Sequence, residues 1–146
     1  MNVSAIMTHK PVTIHPQNTL RMALEKMEEV GCHHLPVISS AGHLVGILSD
    51  RDCRTALNSP YILRERWSDE NLADNLLVRS IMTAAPIVTE PDALVGDAAR
   101  LMLTNHVNCL PVMRSETLVG IITSSDILTA FITIGSNGTH SLVKTE

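Results

Sequence analysis

The sequence predicts an α+β fold made of two copies of a β-α-β-β-α unit, and three observations support this. The first is an internal repeat, because the segment Val3–Thr8 is matched by Val78–Thr83. The second is that short apolar runs alternate with helical periodicity in the same order in both copies. The third is composition: 45% of the 146 residues are apolar and three are aromatic, so an aliphatic core is expected. Two copies at so long a period indicate a duplicated domain rather than a solenoid.

The repeat divides the chain into four segments. Leu35–Val37 returns as Leu110–Val112 at an offset of 75 residues, which becomes 74 after one residue is lost in the following turn. These matches predict a first repeat over residues 1–58 and a second over residues 78–134. Residues 59–77 are then a linker with a short helix. Residues 135–146 are rich in Gly, Ser, Thr and Asn, so this tail is expected to be disordered.

The first copy is predicted to begin with an extended segment at Val12–Ile14, between two prolines that disfavour helix in the residue before them. A helix follows, starting at Asn18 or Thr19, and Gly31 is its expected C-terminal stop. The apolar residues of this helix recur every three or four positions and share one face: Leu20, Ala23, Leu24 and Met27.

The remainder of the first copy predicts a hairpin and a second helix. Two apolar runs, Leu35–Ile38 and Leu44–Leu48, are joined by a short turn-forming segment. Ser49 then caps a helix that runs towards Leu57. The second copy repeats this order, with a strand at Ile87–Thr89, a helix from about Ala93, strands at Leu110–Met113 and Leu118–Thr123, and a helix from Ser124 or Ser125 to Phe131.

Composition and charge disfavour several classes of protein. The net charge is −4, and without a basic block or many aromatic residues nucleic-acid binding is not expected. No apolar run approaches the roughly 18 residues of a membrane span, and no secretory signal is recognisable, so a cytoplasmic protein is predicted. The three cysteines, Cys32, Cys53 and Cys109, form no C-x-x-C pair. Reduced thiols are therefore expected rather than a disulfide or a zinc site.

The ordered motifs resemble a CBS domain, and they do so twice. In the first copy they are Ile-Met-Thr, a proline, a helix, Leu-Pro-Val and the segment Gly46–Asp52, and the second copy ends with Gly120–Asp126. Together the two copies resemble a tandem CBS pair, or Bateman module, over about residues 1–134. Such modules regulate IMP dehydrogenase and the AMP-activated kinase, and they also occur as small stand-alone bacterial proteins. Each motif alone is weak, whereas the ordered set occurring twice is specific.

The resemblance implies that the two copies pack about a pseudo-twofold axis and that clefts between them bind an adenosine-containing ligand. AMP, ADP, ATP, NAD and S-adenosylmethionine are the ligands implied. The resemblance also implies a homodimer, with ligand-biased closure of the cleft passed to the dimer or to a partner. The chain has no room for a catalytic domain, so any output is expected to act through a separate effector protein, which the sequence does not identify.

Two equivalent residue pairs carry the candidate site. Ser49 and Asp52 open one predicted helix, and Thr123 and Asp126 open the other. A capping box accounts for this spacing, since a hydroxyl and a carboxylate three residues further on satisfy backbone N–H groups. The resemblance implies a second role, in which the carboxylate accepts hydrogen bonds from both ribose hydroxyls and the Ser or Thr contacts ribose or phosphate.

The charge beside this motif differs between the copies. Arg51 and Arg54 follow Ser49 in the first copy, whereas Ser125 and Leu128 occupy these positions in the second. The two arginines are predicted phosphate ligands, and Ser125 is a predicted ligand contact. A solvated helix face is the alternative explanation for the arginines. The two copies are therefore expected to differ in their preference for phosphate.

The residues just before Leu-Pro-Val are weaker candidates. His33 and His34 occupy these positions in the first copy, and Asn108 and Cys109 occupy them in the second. The resemblance implies contacts with phosphate or adenine, and strand alternation allows only one of the two histidines to face a cleft. A structural role is the alternative.

Two apolar residues, Val12 and Ile87, lie at the positions where relatives pack adenine, so they are further candidates. Packing in the core explains such residues equally simply, because aliphatic residues near a predicted strand are usually buried. The sequence leaves both explanations open for this pair.

No catalytic or metal-binding motif is recognisable. The sequence has no P-loop, no Rossmann glycine fingerprint and no nucleophile elbow. His33, His34 and His43 lack the spacing of metal ligands. The favoured hypothesis is a non-enzymatic sensor of adenine nucleotides. The alternatives are a ligand-free dimerisation module that has lost its pocket and an unrecognised hydrolase, which measurements of binding and turnover would separate.

Overall fold

The computed structural model describes residues 1–58 and 69–137, and it contains two compact units. One, called here the first-repeat unit, comprises Pro11–Pro86 together with Ser115–Leu118. The other, the second-repeat unit, comprises Met1–Lys10, Ile87–Arg114 and the chain from Val119 onward. Each compact unit therefore takes segments from both sequence repeats.

The helices and strands follow the predicted order. After a 3₁₀ turn at Val3–Ala5, they are β1 (Thr8–His9), α1 (Leu20–Val30), β2 (His34–Ile38), β3 (Leu44–Ser49), α2 (Asp50–Leu57), α3 (Asp69–Asn75), α4 (Val78–Ile81), β4 (Thr83–Ala84), α5 (Val95–Asn105), β5 (Cys109–Arg114), β6 (Thr117–Thr123) and α6 (Ser124–Asn137). Both β-α-β-β-α units are thus present as mixed helix and strand. The extended segments predicted at 12–14 and 87–89 are reduced to single bridges, described below.

Helix α1 shows how local sequence sets the ends of an element. Thr19 is its N-cap and accepts a hydrogen bond from the backbone N–H of Met22 at 3.2 Å. Gly31 ends the helix with φ at 78°, a left-handed conformation that glycine adopts without steric cost. Both predicted boundaries are confirmed. Helix α5 starts at Val95 rather than near Ala93, because no side chain caps it and the preceding residues form a turn.

Each unit contains a three-stranded sheet. In the first-repeat unit β3 lies between β2 and β4, and in the second-repeat unit β6 lies between β1 and β5. Ile14 adds a parallel bridge to Val37, and Thr89 adds one to Val112. In both units, one residue of an extended segment therefore pairs in parallel with the first strand of the hairpin.

Each sheet packs against its helices through an aliphatic core. In the first-repeat unit the fully buried residues include Leu20, Leu35 and Leu48, and the equivalent interior of the second-repeat unit includes Leu110 and Ile122. Equivalent positions of the repeat thus supply both cores. The further core residues are Ile14, Ala23, Met27, Val37, Cys53, Ala73 and Val78 in the first-repeat unit, and Val3, Met7, Ala98, Met102 and Val112 in the second-repeat unit.

Each unit contains the chain segment that opens the other repeat, and this segment is called here a donor segment. Residues 1–9 dock in the second-repeat unit, where Val3 N–H donates to Ala93 O at 2.8 Å. Residues 76–84 dock in the first-repeat unit, where Val78 N–H donates to Asn18 O at the same distance. The two contacts are equivalent under the repeat. The Ile-Met-Thr motif of each repeat therefore completes the partner repeat rather than its own.

Two glycines make this docking close. A Cβ built on Gly46 would lie 2.5 Å from Met82 Sδ and 2.9 Å from Thr83 O, and a Cβ on Gly120 would lie 2.5 Å from Met7 Sδ and 2.9 Å from Thr8 O. These separations are shorter than carbon can tolerate against backbone oxygen. Each central strand therefore needs glycine where the donor segment crosses it.

The C-terminal helix is longer than predicted, whereas the linker helix is present as predicted. Helix α6 passes Phe131 and continues to Asn137, so residues 135–137 are helical and the prediction of disorder from residue 135 is wrong there. The helix continues through Gly135, a residue that lowers helix stability by about 1 kcal/mol relative to alanine without ending the helix here. The short helix predicted in the linker is α3, with Leu72 buried. Residues 59–68 and 138–146 lie outside the described part of the chain.

Candidate functional site

The candidate site in the first-repeat unit is built where β3 runs directly into α2. The Ser49 N–H donates to Asp52 Oδ2 at 2.9 Å, and the Asp52 N–H donates to Ser49 Oγ at 3.0 Å. These reciprocal bonds form a complete capping box. The capping role considered for this pair is therefore present in the folded chain.

The second-repeat unit holds the same arrangement at the start of α6. Thr123 N–H donates to Asp126 Oδ2 at 2.9 Å, and Asp126 N–H donates to Thr123 Oγ1 at 3.2 Å. Each box uses one oxygen of its carboxylate. Within residues 1–58 and 69–137, the Oδ1 atoms of Asp52 and Asp126 have no hydrogen-bond partner. Capping thus holds each half-buried carboxylate in place and leaves one oxygen for another donor.

A cavity of about 360 Å³ lies beside Asp52 in the first-repeat unit. Its volume falls in the range typical of small-molecule sites. Helix α2 forms one wall and the donor segment 76–84 forms the other. The residues that line the cavity are Arg51, Asp52, Thr55, Ala56, Leu76, Ser80 and Ile81. The cavity therefore joins a carboxylate, a cation and two hydroxyls to an apolar floor.

The two arginines predicted as phosphate ligands differ in their surroundings. Arg54 Nη1 lies 3.2 Å from Asp50 Oδ2, which also accepts a hydrogen bond from His33 Nδ1 at 3.0 Å. Burial alone would raise the pKa of Asp50, but the hydrogen bonds from His33 and Arg54 outweigh it and lower that pKa. Arg51 lines the cavity, and its guanidinium has no ion pair or hydrogen bond among the described residues. Arg51 is therefore available to an anion, whereas Arg54 is engaged by Asp50.

The two histidines before Leu-Pro-Val lie next to the start of α2. His33 O accepts a hydrogen bond from Asp50 N–H at 2.9 Å, while the His33 side chain is 76% exposed. His34 is opposite Ser49 in the β2–β3 register and is half-buried. Burial lowers the pKa of His34 most strongly, and the Asp50 carboxylate opposes that shift. Neither histidine lines the cavity beside Asp52.

The equivalent positions of the second-repeat unit have different chemistry. Asn108 O accepts a hydrogen bond from Ser124 N–H at 2.9 Å, repeating the backbone contact of His33. Cys109 is buried, and burial raises the pKa of its thiol. Cys53, behind the capping box of α2, is also buried and has a pKa raised to about 11. Both thiols are protonated at neutral pH and behave as small apolar groups.

The apolar candidates stay apart from these features. Val12 and Ile87 are 36% and 38% exposed, and neither belongs to the aliphatic core of the described residues. Neither lines the cavity beside Asp52. Packing of adenine against them stays a prediction, as does the contact predicted for Ser125.

Sequence reasoning missed five of the seven residues that line the cavity, Ala56 among them. Thr55 lies one helical turn after Arg51, so helical periodicity was a signal that could have found it. Leu76, Ser80 and Ile81 come from the donor segment, which lies beyond the first repeat in the sequence. No pattern within one repeat indicates that contact, because it depends on which partner the donor segment selects.

The remaining sequence predictions concern metal ligands and membrane spans. No group of three or more His, Cys, Asp or Glu side chains within residues 1–58 and 69–137 is placed to hold a metal ion. In the same ranges, no helix is long and apolar enough to cross a membrane. The cytoplasmic location stays a prediction.

The chain matches the CBS domain family over residues 3–59 and again over residues 78–133. Among curated proteins, the chain is 35% identical over 139 residues to a CBS domain-containing protein of Dictyostelium discoideum. The alignment covers 90% of this chain and 92% of that protein. The two matched ranges contain both capping boxes and both hairpins.

Two solved structures resemble the chain over almost its whole length. The CBS domain pair of protein MJ0100, solved with 5′-methylthioadenosine and S-adenosyl-L-methionine, has a TM-score of 0.78 at 26% identity. That match covers 91% of this chain and 97% of the other. CBSX2, a protein of Arabidopsis thaliana, solved with AMP, has a TM-score of 0.72 at 29% identity, with the same two coverages.

Proposed function

The chain belongs to the CBS domain family, and we propose that it is a regulatory module that binds an adenosine-containing ligand. The observation that carries this proposal is the cavity where Asp52 and Arg51 meet. Asp52 Oδ1 is free of hydrogen bonds within the described chain, and a carboxylate accepts hydrogen bonds from the vicinal hydroxyls of a ribose. The bound AMP and 5′-methylthioadenosine of the two relatives support the same ligand class.

The regulatory mechanism follows from the two walls of the cavity. A ligand in the cavity contacts α2 of the first repeat and the donor segment 76–84, which is covalently continuous with the second repeat. Binding therefore stabilises the docked donor segment over any state in which that segment is displaced. A ligand shifts such an equilibrium only by its differential affinity for the two states. The module itself performs no chemistry, and its output passes to a separate effector protein.

The direct test is a thermal-shift screen of the full chain against AMP, ADP, ATP, NAD and S-adenosylmethionine, followed by titration calorimetry. A ligand at 100 times its Kd stabilises the folded state by about 2.7 kcal/mol. We expect at least one adenosine-containing compound to raise the melting temperature, and guanosine and cytidine analogues to have no effect. A screen in which no adenosine compound shifts the melting temperature contradicts the proposal. Turnover of the bound nucleotide would instead identify a hydrolase.

A second candidate function is a dimerisation module that needs no ligand. Helix α6 places Leu128, Phe131 and Ile132 on one face, and these side chains are 61%, 63% and 65% exposed. An apolar face of this kind is typical of a protein contact. If a second copy covers it, light scattering gives a homodimer at micromolar concentration, and Phe131→Glu gives a monomer. The control Leu103→Glu places the same charge on α5, where Leu103 is exposed, and should leave the dimer intact.

A further inference from the structure

Three of the seven residues that line the cavity are replaced by a different residue type at the equivalent position of the other repeat. Under the repeat, the positions of Asp52, Thr55, Ala56 and Ile81 are identical in the second copy, as Asp126, Thr129, Ala130 and Ile6. The other three positions change: Arg51 corresponds to Ser125, Leu76 to Met1 and Ser80 to Ala5. The first-repeat unit therefore has a guanidinium and a hydroxyl that the second-repeat unit lacks.

The polar groups of the cavity share one chemical character. Arg51 and Thr55 are one turn apart on the same face of α2, and Ser80 lies on the opposite wall in α4. Within the described residues, neither the Arg51 guanidinium nor the Thr55 and Ser80 hydroxyls have a hydrogen-bond partner. All three groups donate hydrogen bonds. Asp52, on α2 beside Arg51 and Thr55, is the acceptor of the cavity, so a ligand there can accept hydrogen bonds from three groups and donate to the carboxylate.

We propose that Thr55 and Ser80, together with Arg51, form an anion subsite that selects a phosphorylated ligand in the first-repeat unit. The proposal rests on the proposed function, since Asp52 would hold the ribose of the same molecule. Thr55 and Ser80 are its new specificity-determining residues. The second-repeat unit has Ser125 and Ala5 at two of these positions, so it has no guanidinium there for a phosphate.

The physical reason is the number of donors that a phosphate needs. A phosphate carries several strong acceptor oxygens, and a single guanidinium satisfies at most two of them in a bidentate contact. Hydroxyls on both walls supply the remaining bonds. An adenosine without phosphate makes no bond to these three exposed donors, which then stay hydrated, so it gains nothing from them. The donors therefore discriminate between ligands that share one nucleoside.

The location of Ser80 gives the subsite a second consequence. Ser80 belongs to the donor segment, whereas Arg51 and Thr55 belong to α2. A phosphate that accepts hydrogen bonds from both walls connects the segment to α2 more strongly than a nucleoside alone. The phosphorylated ligand is therefore the one that most stabilises docking of residues 76–84.

The test is calorimetric titration of the full chain with AMP and with adenosine, and the measured quantity is the ratio of the two Kd values. We expect AMP to bind at least tenfold more tightly than adenosine. Ser80→Ala and Thr55→Val should each weaken AMP about two- to tenfold, as expected for one neutral hydrogen bond, and leave adenosine unchanged. Arg51→Ala should weaken AMP about ten- to a hundredfold.

The matched control variants remove a hydroxyl or a guanidinium at exposed sites outside the cavity. Thr104→Val removes an exposed hydroxyl from α5, and Arg114→Ala removes an exposed positive charge from the end of β5. Neither should change the ratio of the two Kd values. An unchanged ratio in the Ser80→Ala/Thr55→Val double variant overturns the subsite and leaves the proposed function standing. An equal loss of AMP and adenosine affinity also overturns it, because the contact would then be to the shared nucleoside.

Pyrophosphate, a probe without a nucleoside, separates the two proposals. If neither AMP nor adenosine binds, the proposed function fails. In that case a melting temperature raised by pyrophosphate in the wild type, and not in the Ser80→Ala/Thr55→Val variant, still supports an anion subsite. Absence of any response to AMP and to pyrophosphate overturns both.

Discussion

The two repeats of this chain share a backbone framework and differ in the chemistry attached to it. The capping boxes at Ser49 and Thr123, the close crossings at Gly46 and Gly120 and the docking of each donor segment repeat almost bond for bond. The charged and polar groups beside the boxes do not repeat. The residue type is thus constrained where backbone segments contact each other, whereas it differs between the repeats where side chains line a cavity.

Residues of the same type also have different roles in this chain, as two glycines and two arginines show. Gly46 is required because backbone oxygen approaches it, whereas Gly31 is required for its left-handed conformation. Arg54 is neutralised by Asp50, whereas Arg51 is not neutralised by any described residue. The residue type alone does not state its role, and the neighbouring groups decide it.

The largest expected effect tests whether the two cores are equivalent. Leu35 and Leu110 occupy the same repeat position and are fully buried. We expect Leu35→Ala and Leu110→Ala each to lower the free energy of unfolding by about 2–5 kcal/mol, because each leaves a cavity in a packed core. Urea denaturation measures both. Leu103→Ala, at a 77% exposed site, is the control and should change stability little. Loss in only one of the two variants would show that the cores are not equivalent.

The next effect tests the carboxylates of the capping boxes. Asp52→Asn and Asp126→Asn remove the charge and keep a side chain of similar size. If each carboxylate binds ribose hydroxyls, ligand affinity at its unit falls by about 1.5–3 kcal/mol, or roughly ten- to a hundredfold. Titration with AMP measures this, and the melting temperature monitors the cap, whose complete loss costs about 1 kcal/mol. A variant that melts early and binds normally would assign its Asp to capping alone.

The third prediction concerns Gly46 and Gly120, where a donor segment crosses the central strand of each sheet. Gly46→Ala and Gly120→Ala place a methyl group 2.9 Å from a backbone oxygen, so the donor segment must shift. Overpacking of this kind costs about 1–3 kcal/mol, and we expect equal losses of stability in the two variants by urea denaturation. Gly96→Ala is the control, because nothing lies within 4 Å of a Cβ there and the residue is helical. An unaffected Gly120→Ala would show that the second-repeat unit holds its donor segment loosely.

The smallest effect is a pH dependence confined to the first-repeat unit. The pKa of His34 is lowered in the folded state, so the unfolded chain binds a proton more readily. The stability associated with neutral His34 is complete above its ordinary pKa of about 6.5 and is lost as the pH falls through the lower folded value. The melting temperature should therefore fall less between pH 7.5 and pH 5 in His34→Gln than in the wild type. His43→Gln, at an exposed turn, should follow the wild type. Identical profiles for His34→Gln and the wild type would exclude His34 as the source.

Much of the local structure could be predicted because its causes lie within a few residues. Thr19 caps α1 through a bond to Met22, Gly31 ends the same helix, and Ser49 and Asp52 bond each other across three positions. The repeat indicated which elements recur, and the matched motifs indicated the family before any contact was known. Helix ends without a side-chain cap, as at Val95, were predicted less well, since nothing local marks them.

The order of elements, the two aliphatic cores and the capping boxes follow from the sequence, because periodicity and short-range hydrogen bonds specify them, and the ordered motifs indicate the family by resemblance. The long-range contacts of the fold show which repeat each Ile-Met-Thr segment completes, why Gly46 and Gly120 are glycines, and that Ser80 and Arg51 line one cavity. These features join residues far apart along the chain. Their partners are selected by the free energy of packing the whole unit, which no local pattern encodes.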